Sequence, residues 1–164
     1  MQTKTQLEQW YKEKDPWDYF NNSEDKARRQ KLREALDPYG SFNKALDVGA
    51  GEGFITRILP AEEIYFQELS DTASERHPKN HTRVYFGTDK KFDLVVATGV
   101  FYEQYDWEEM HDFAIKTLKK GGILLTAHID SWEIPLPTGQ LDLVHKEKYP
   151  YRKYTHSLKI YKKL

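Results

Sequence analysis

A chain of 164 residues has room for about one domain with a proper core and not for two. Its 25 Lys and Arg nearly cancel 26 Asp and Glu, leaving a formal charge of -1, so no general attraction to nucleic acid or acidic membranes is expected and the partner should be a small molecule. With no cysteine, disulfides, thiolate metal sites and a cysteine nucleophile are excluded.

From the N-terminus, MQTKTQLEQWYKEKD has no apolar stretch of signal-peptide type, and no later run approaches the roughly 18 apolar residues of a membrane span. A cytoplasmic monomer or homodimer without a membrane partner is therefore expected. Residues 3–14 and 23–37 place Leu7, Trp10 and Tyr11, then Ala27, Leu32, Ala35 and Leu36, at helical spacing. Between them DPWDYFNN breaks the helix, Asn22 or Ser23 can cap the second one, and Pro38 to Gly40 ends it. Strand-like runs follow at 44–48, 63–68, 82–86, 92–99 and 122–129, several of them apolar on both faces. Helical patterns at 51–59 and 106–120 separate some of these runs, which argues for an α/β fold with a mainly parallel sheet and helices on both faces. After Pro135, Pro137 and Gly139, the alternation in 141–146 and 154–163 predicts an antiparallel edge hairpin turning at Tyr149-Pro150. The whole is one domain: a helical lid (1–40), a core (41–129), and a loop with the hairpin (130–164).

The stretch ALDVGAGEGF, residues 45–54, sets Gly49, Gly51 and Gly53 directly after a buried strand. Glycines there let the backbone approach a ligand that a Cβ would obstruct. A helix beginning near Glu52 would add free N–H donors and a positive dipole end, suited to a carboxylate or phosphate. The dinucleotide fingerprint places its third glycine one residue later, so GxGxG after Asp47 disfavours a nicotinamide-dependent oxidoreductase.

Asp47-Val-Gly49-Ala-Gly51-Glu-Gly53 resembles the first motif of the class I S-adenosylmethionine-dependent methyltransferases, an acidic residue followed by xGxGxG. EIYFQELS resembles their second strand, KFDLVVATGVFYE their fourth, and LKKGGILLTAHI the helix turn and fifth, in order from about residue 40 to 129. DPWDYFNNSEDKARRQKLREAL is similar to the nodulation-type branch of that family, N-methyltransferases that modify a sugar amine. The resemblance implies a Rossmann-like methyltransferase sheet, S-adenosylmethionine as cofactor and S-adenosylhomocysteine as product. It also implies methyl transfer to an oxygen or nitrogen of a small acceptor, sugar-like or nucleotide-linked. Only about 35 residues follow the fifth strand, so the helix that the family places there is expected to be missing.

The same resemblance assigns cofactor contacts. Gly49 and Gly51 meet the methionine end, Asp47 anchors the loop or the ammonium group, and Gly53 binds the cofactor with them as part of the same loop. Glu68 takes both ribose hydroxyls, since a carboxylate accepts two donors at once. Thr88 and Asp89 stand at the adenine. Thr98, Gly99, Phe101 and Tyr102 run along the methionine portion, where aromatic faces can stabilise a sulfonium. Trp17, Tyr19 and Phe20 form a flap over the cofactor. If the acceptor must lose a proton, His128 is the first candidate base, with Glu103 and Tyr19 behind it.

His77 and His81 have i, i+4 spacing, but Pro78 disfavours a helix and no third ligand is evident, so no metal site is expected. HKEKYPYRKYTHSLKIYKKL carries seven Lys or Arg against one Glu, which suits nucleic acid or, more simply, an edge hairpin protected from aggregation. Base C5 methylation is excluded by the missing cysteine, and the chain reads ATGVFYE where exocyclic-amine methylases carry an Asn or Asp-Pro-Pro-aromatic motif. A non-catalytic or regulatory subunit of the same fold is the alternative in another class.

Overall fold

In the computed structural model, which describes residues 2–164, seven strands form one sheet in the order β3-β2-β1-β4-β5-β7-β6. Two helices come first: α1 (Lys4–Trp10), started by a capping box between Thr3 and Gln6, and α2 (Ser23–Leu36), whose first N–H groups donate to the side chain of Asn22. The strands are β1 (Phe42–Val48), β2 (Ala61–Gln67), β3 (His81–Arg83), β4 (Phe92–Thr98), β5 (Leu118–Ile129), β6 (Leu141–Tyr151) and β7 (Tyr154–Lys163). A short α3 (Asp71–Glu75) joins β2 to β3, and α4 (Trp107–Thr117) joins β4 to β5. β1 to β5 pair in parallel, while β7 runs antiparallel to both β5 and β6.

Two cores explain why the central strands are apolar on both faces. On one side Ala45, Leu94, Val96, Leu125 and Ile160 pack under Leu32 and Leu36 of α2 and under Phe54. On the other Leu46, Val95, Ala97 and Leu124 pack under Phe113 and Ala114 of α4. Burial of this kind contributes roughly 25 cal/mol per Å² of apolar surface.

Three expectations are corrected. No α-helix follows the glycine loop; residues 51–55 turn and only Thr56–Ile58 coil as a single 3₁₀ turn. Gly49, Gly51 and Gly53 all have positive φ, and β2 already begins at Ala61, so too little chain is left for a helix. The third strand is shorter than 82–86, leaving Tyr85 exposed beyond it. The hairpin turns at Arg152-Lys153, with Arg152 at φ +50°, and Pro150 lies within β6. Pro150 is tolerated there because β6 is the outermost strand. After β5 the chain makes one 3₁₀ turn, Asp130–Trp132, and then a loop, so no crossover helix covers that end.

Candidate active site

The parallel strands β1 and β4 end together, and the loops leaving them open a cavity of about 830 Å³ at that edge of the sheet. Open α/β sheets bind ligands at this edge. Its floor is the glycine loop, one wall is the end of β2 and the turn after β4, and residues 2–20 fold over it as a roof. The roof is tied to the floor through Glu52. That side chain accepts from the Asp15 backbone N–H at 2.8 Å and pairs with Arg76 at 2.7 Å, and Arg76 also donates to the Tyr11 carbonyl at 2.6 Å.

The loop is held by side chains from β2 and beyond. Gly49 N–H donates to Gln67 Oε1 at 3.0 Å, and Gly51 N–H donates to Glu68 Oε2 at 2.8 Å, while the other Glu68 oxygen accepts from Ser70 N–H at 2.9 Å. Glu68 is buried, and the loss of solvent raises its carboxyl above the ordinary range despite those bonds. Asp47 is buried too; its Oδ2 accepts from the Thr56 hydroxyl at 2.7 Å, and burial pushes its carboxyl up to about 7. A Cβ on Gly51 would stand 2.8 Å from the Tyr11 hydroxyl, so the glycine is what lets the roof descend onto the loop.

Gly53 faces away from the cavity. At φ +89° its Cα sits against the His77 ring, where a Cβ would meet ring atoms at 2.9 Å. His77 stacks on Phe66 at 3.6 Å and donates from Nε2 to the Gly51 carbonyl at 2.8 Å. Its Nδ1 lies 3.2 Å from His81 Nδ1, so the two histidines clip the loop from behind.

The structure brings Trp17, Tyr19, Asp47, Gly49, Gly51, Glu68, Thr98, Gly99 and Tyr102 to one cavity. Trp17 and Tyr19 stack on each other at 6.2 Å, and the Tyr102 hydroxyl accepts from Ile129 N–H at 2.7 Å. Thr88 and Asp89 are not on the wall; they sit in the loop after β3, Thr88 half-buried and Asp89 exposed, and Phe86 reaches the cavity instead. Phe101 is completely buried against His128 at 5.2 Å, and Glu103 is exposed outside the cavity.

His128 does not reach the cavity either. It is fully buried, and its Nε2 accepts from the backbone N–H groups of Phe101 at 3.1 Å and Val100 at 3.3 Å. Burial pushes it down to about 3, so it is a neutral ring that fixes the turn after β4, with no lone pair left for a proton.

Residues in the cavity and directly behind it were not legible in the sequence. Asp25 and Arg28 sit on the inward stripe of α2 with Leu32 and Leu36, and charges on an apolar stripe were the signal available. Asp25 is completely buried and accepts from Arg28 Nε at 3.2 Å, the Tyr151 hydroxyl at 2.6 Å and Arg152 Nη2 at 2.6 Å. Arg152 also donates to the Trp17 carbonyl at 2.8 Å, so the hairpin turn is pinned to the roof. Arg28 lines the cavity against the Tyr19 and Phe54 rings, and its Nη groups have no acceptor among the described residues. Tyr102, Trp132 and Tyr154 form an aromatic run on the side away from Glu68. Nothing in the local sequence marks that run, because the hairpin creates it.

A family model described as a methyltransferase domain matches residues 20–158. No curated protein sequence matches the chain. Among solved structures it is similar to the N-methyltransferase NodS of Bradyrhizobium japonicum WM9 in complex with S-adenosyl-L-homocysteine, with a TM-score of 0.81 and 19% identity over 99% of both chains. It is also similar to the magnesium protoporphyrin IX methyltransferase ChlM of Synechocystis PCC 6803 with bound S-adenosylmethionine, with a TM-score of 0.72 and 11% identity over 98% of this chain and 97% of that one. With the glycine loop, the carboxylate ending β2 and the 3-2-1-4-5-7-6 sheet in place, the chain belongs to the methyltransferase-domain family and is an S-adenosylmethionine-dependent methyltransferase.

Proposed function

We propose that this enzyme methylates an oxygen or nitrogen of a small, ring-bearing acceptor of sugar-like character. The observation that carries the reading is the lining of one cavity: carboxylates and glycine backbone from the β1 and β2 side, the aromatic run of Tyr102, Trp132 and Tyr154 from the side of β4, β5 and β7.

The first end suits the cofactor by the chemistry of its donors and acceptors. Each Glu68 oxygen holds one backbone N–H, and a carboxylate has about four acceptor positions, so two remain for ribose hydroxyls. Asp47 and the Gly49–Gly51 backbone take the methionine end, and the unpaired Nη groups of Arg28 suit its carboxylate. Leu69, Phe86 and Met110 offer apolar contact for adenine in place of Thr88 and Asp89. When bound, S-adenosylmethionine supplies a methyl group on a positively charged sulfur.

The protein's work is then to hold the acceptor in line with that carbon and to exclude water, a service worth roughly 7 to 11 kcal/mol. Thr98, Gly99 and Tyr102 border the transfer point, and the roof of Tyr11, Trp17 and Tyr19 closes it. The aromatic run presents flat faces to a ring, and Trp132 is 47% exposed, so its face is reachable from solvent. Transfer of label from methyl-tritiated S-adenosylmethionine to a panel of amino sugars, sugar nucleotides, phenols and simple amines tests the reading. Label should enter the sugar-containing members and fall at least tenfold in Trp132→Ala. Label confined to protein or RNA substrates would sink it.

A further inference from the structure

The cavity contains a histidine that neither the glycine motif nor the strand pattern assigns. His156 lies on β7 opposite Ile129, the last residue of β5, and so stands beside the end of the sheet where Tyr102 is anchored. It is only 4% exposed, yet it lines the cavity. Its ring is fixed from two sides: Nδ1 lies 3.2 Å from the Tyr149 hydroxyl, and the Tyr151 ring packs on it at a centroid distance of 4.0 Å. Nε2 has no hydrogen-bond partner among the described residues, and the ring it belongs to lines the cavity. This contrasts with His128, whose Nε2 is consumed by two backbone donors.

We infer that His156, held by Tyr149, is the group that hydrogen-bonds the acceptor's nucleophilic N–H or O–H and, where the accepting atom is a hydroxyl oxygen, takes its proton during transfer. With the Nδ1 hydrogen directed at the Tyr149 oxygen, Nε2 presents a bare lone pair to the cavity. That lone pair orients the acceptor atom so that its own lone pair points at the methyl carbon. As the new bond to carbon forms, the pair of the breaking C–S bond returns to sulfur; a hydroxyl oxygen, made positive by the transfer, passes its proton to Nε2, whereas a nitrogen keeps its proton as an ammonium and gives it up to solvent. Burial and the nearby Arg28 push His156 down to about 3, so the ring is neutral before transfer and hands the proton on to solvent after it. The inference rests on the cofactor reading above.

The test uses two cofactor analogues that differ at the transfer point. S-Adenosylhomocysteine has a bare sulfur there, whereas sinefungin carries an amine where the transferred methyl would be. Calorimetric titration of the wild-type chain, His156→Asn and Tyr149→Phe should give similar S-adenosylhomocysteine affinities within about threefold. Sinefungin should lose about tenfold in His156→Asn and a smaller amount in Tyr149→Phe, since one hydrogen bond to a charged group disappears or is misdirected. In the wild type, the His156 Nε2 resonance in ¹⁵N NMR should move on adding sinefungin and not on adding S-adenosylhomocysteine, a measurement that needs no folded variant. An unchanged ratio of the two affinities, or equal loss of both, overturns the role of His156, as does an unmoved resonance. Failure of the wild type to bind either analogue would instead overturn the cofactor reading.

Discussion

Asp47 shows how much a single buried carboxyl can impose on a loop. It stands buried at the end of β1 with one hydroxyl partner and, among the described residues, no cation in contact, so burial penalises its ionised form and raises its carboxyl to about 7. Because the folded value lies above the unfolded one of 3.8, the stability it contributes is complete below about pH 3.8 and is lost as pH rises towards 7. At one pH unit per 1.36 kcal/mol, the ionised carboxylate costs roughly 4 kcal/mol at pH 8. Asp47→Asn keeps an acceptor for Thr56 and removes the charge. It should therefore melt higher than the wild type at pH 8 and about equally below about pH 3.8; equal melting temperatures at both would contradict the burial argument. Gly53 offers a second test. Alanine there must adopt φ +89° and drive a Cβ into the His77 ring, so Gly53→Ala should lose about 2 to 3 kcal/mol in urea unfolding. At this scale the sequence was legible where the grammar is local. A strand, a turn of glycines and an acidic residue ending the next strand are read from neighbours along the chain. Whether the nitrogen of His128 faces a cavity or two backbone N–H groups depends on the turn after β4, which no local pattern encodes.

At the scale of elements, Asp25, Arg28, Tyr151 and Arg152 brace the C-terminal hairpin against the N-terminal part of the chain. They join α2, the hairpin turn and the roof in one network centred on a fully buried carboxylate. Removing that carboxylate leaves a buried Arg28 without its counter-charge, and one-sided removal of a buried pair costs about 3 to 5 kcal/mol. Asp25→Ala should lower the free energy of urea unfolding by that amount, whereas Arg152→Ala, whose side chain is partly exposed, should lower it less. If both variants unfold with the wild type, the hairpin is not braced in this way. The strands of the core were readable because both faces are buried. The helix expected after the glycine loop failed because periodicity in 51–59 says nothing of φ, and three glycines at positive φ had already turned the chain. The hairpin turn was misplaced because proline was taken as a break, whereas on an outer strand it is not one.

For the whole molecule, the sheet order and the roof together explain how a short chain makes an enclosed site. The parallel half supplies the glycine loop and Glu68, the antiparallel half supplies Tyr151, Arg152 and His156, and residues 2–20 close over both. The first half was legible because it carries the family's motifs in order; the second was not, since its residues meet only when β7 inserts between β5 and β6. The central claim is that the glycine loop and Glu68 hold S-adenosylmethionine and its product. Calorimetric titration with S-adenosylhomocysteine tests it most directly, alongside NAD and the variants Glu68→Ala and Glu68→Gln. One-to-one binding is expected for the wild type, weakened about tenfold to a hundredfold in both variants, as loss of charge-assisted hydrogen bonds to two hydroxyls requires. Binding of NAD alone, or S-adenosylhomocysteine affinity unchanged in both variants, would contradict it.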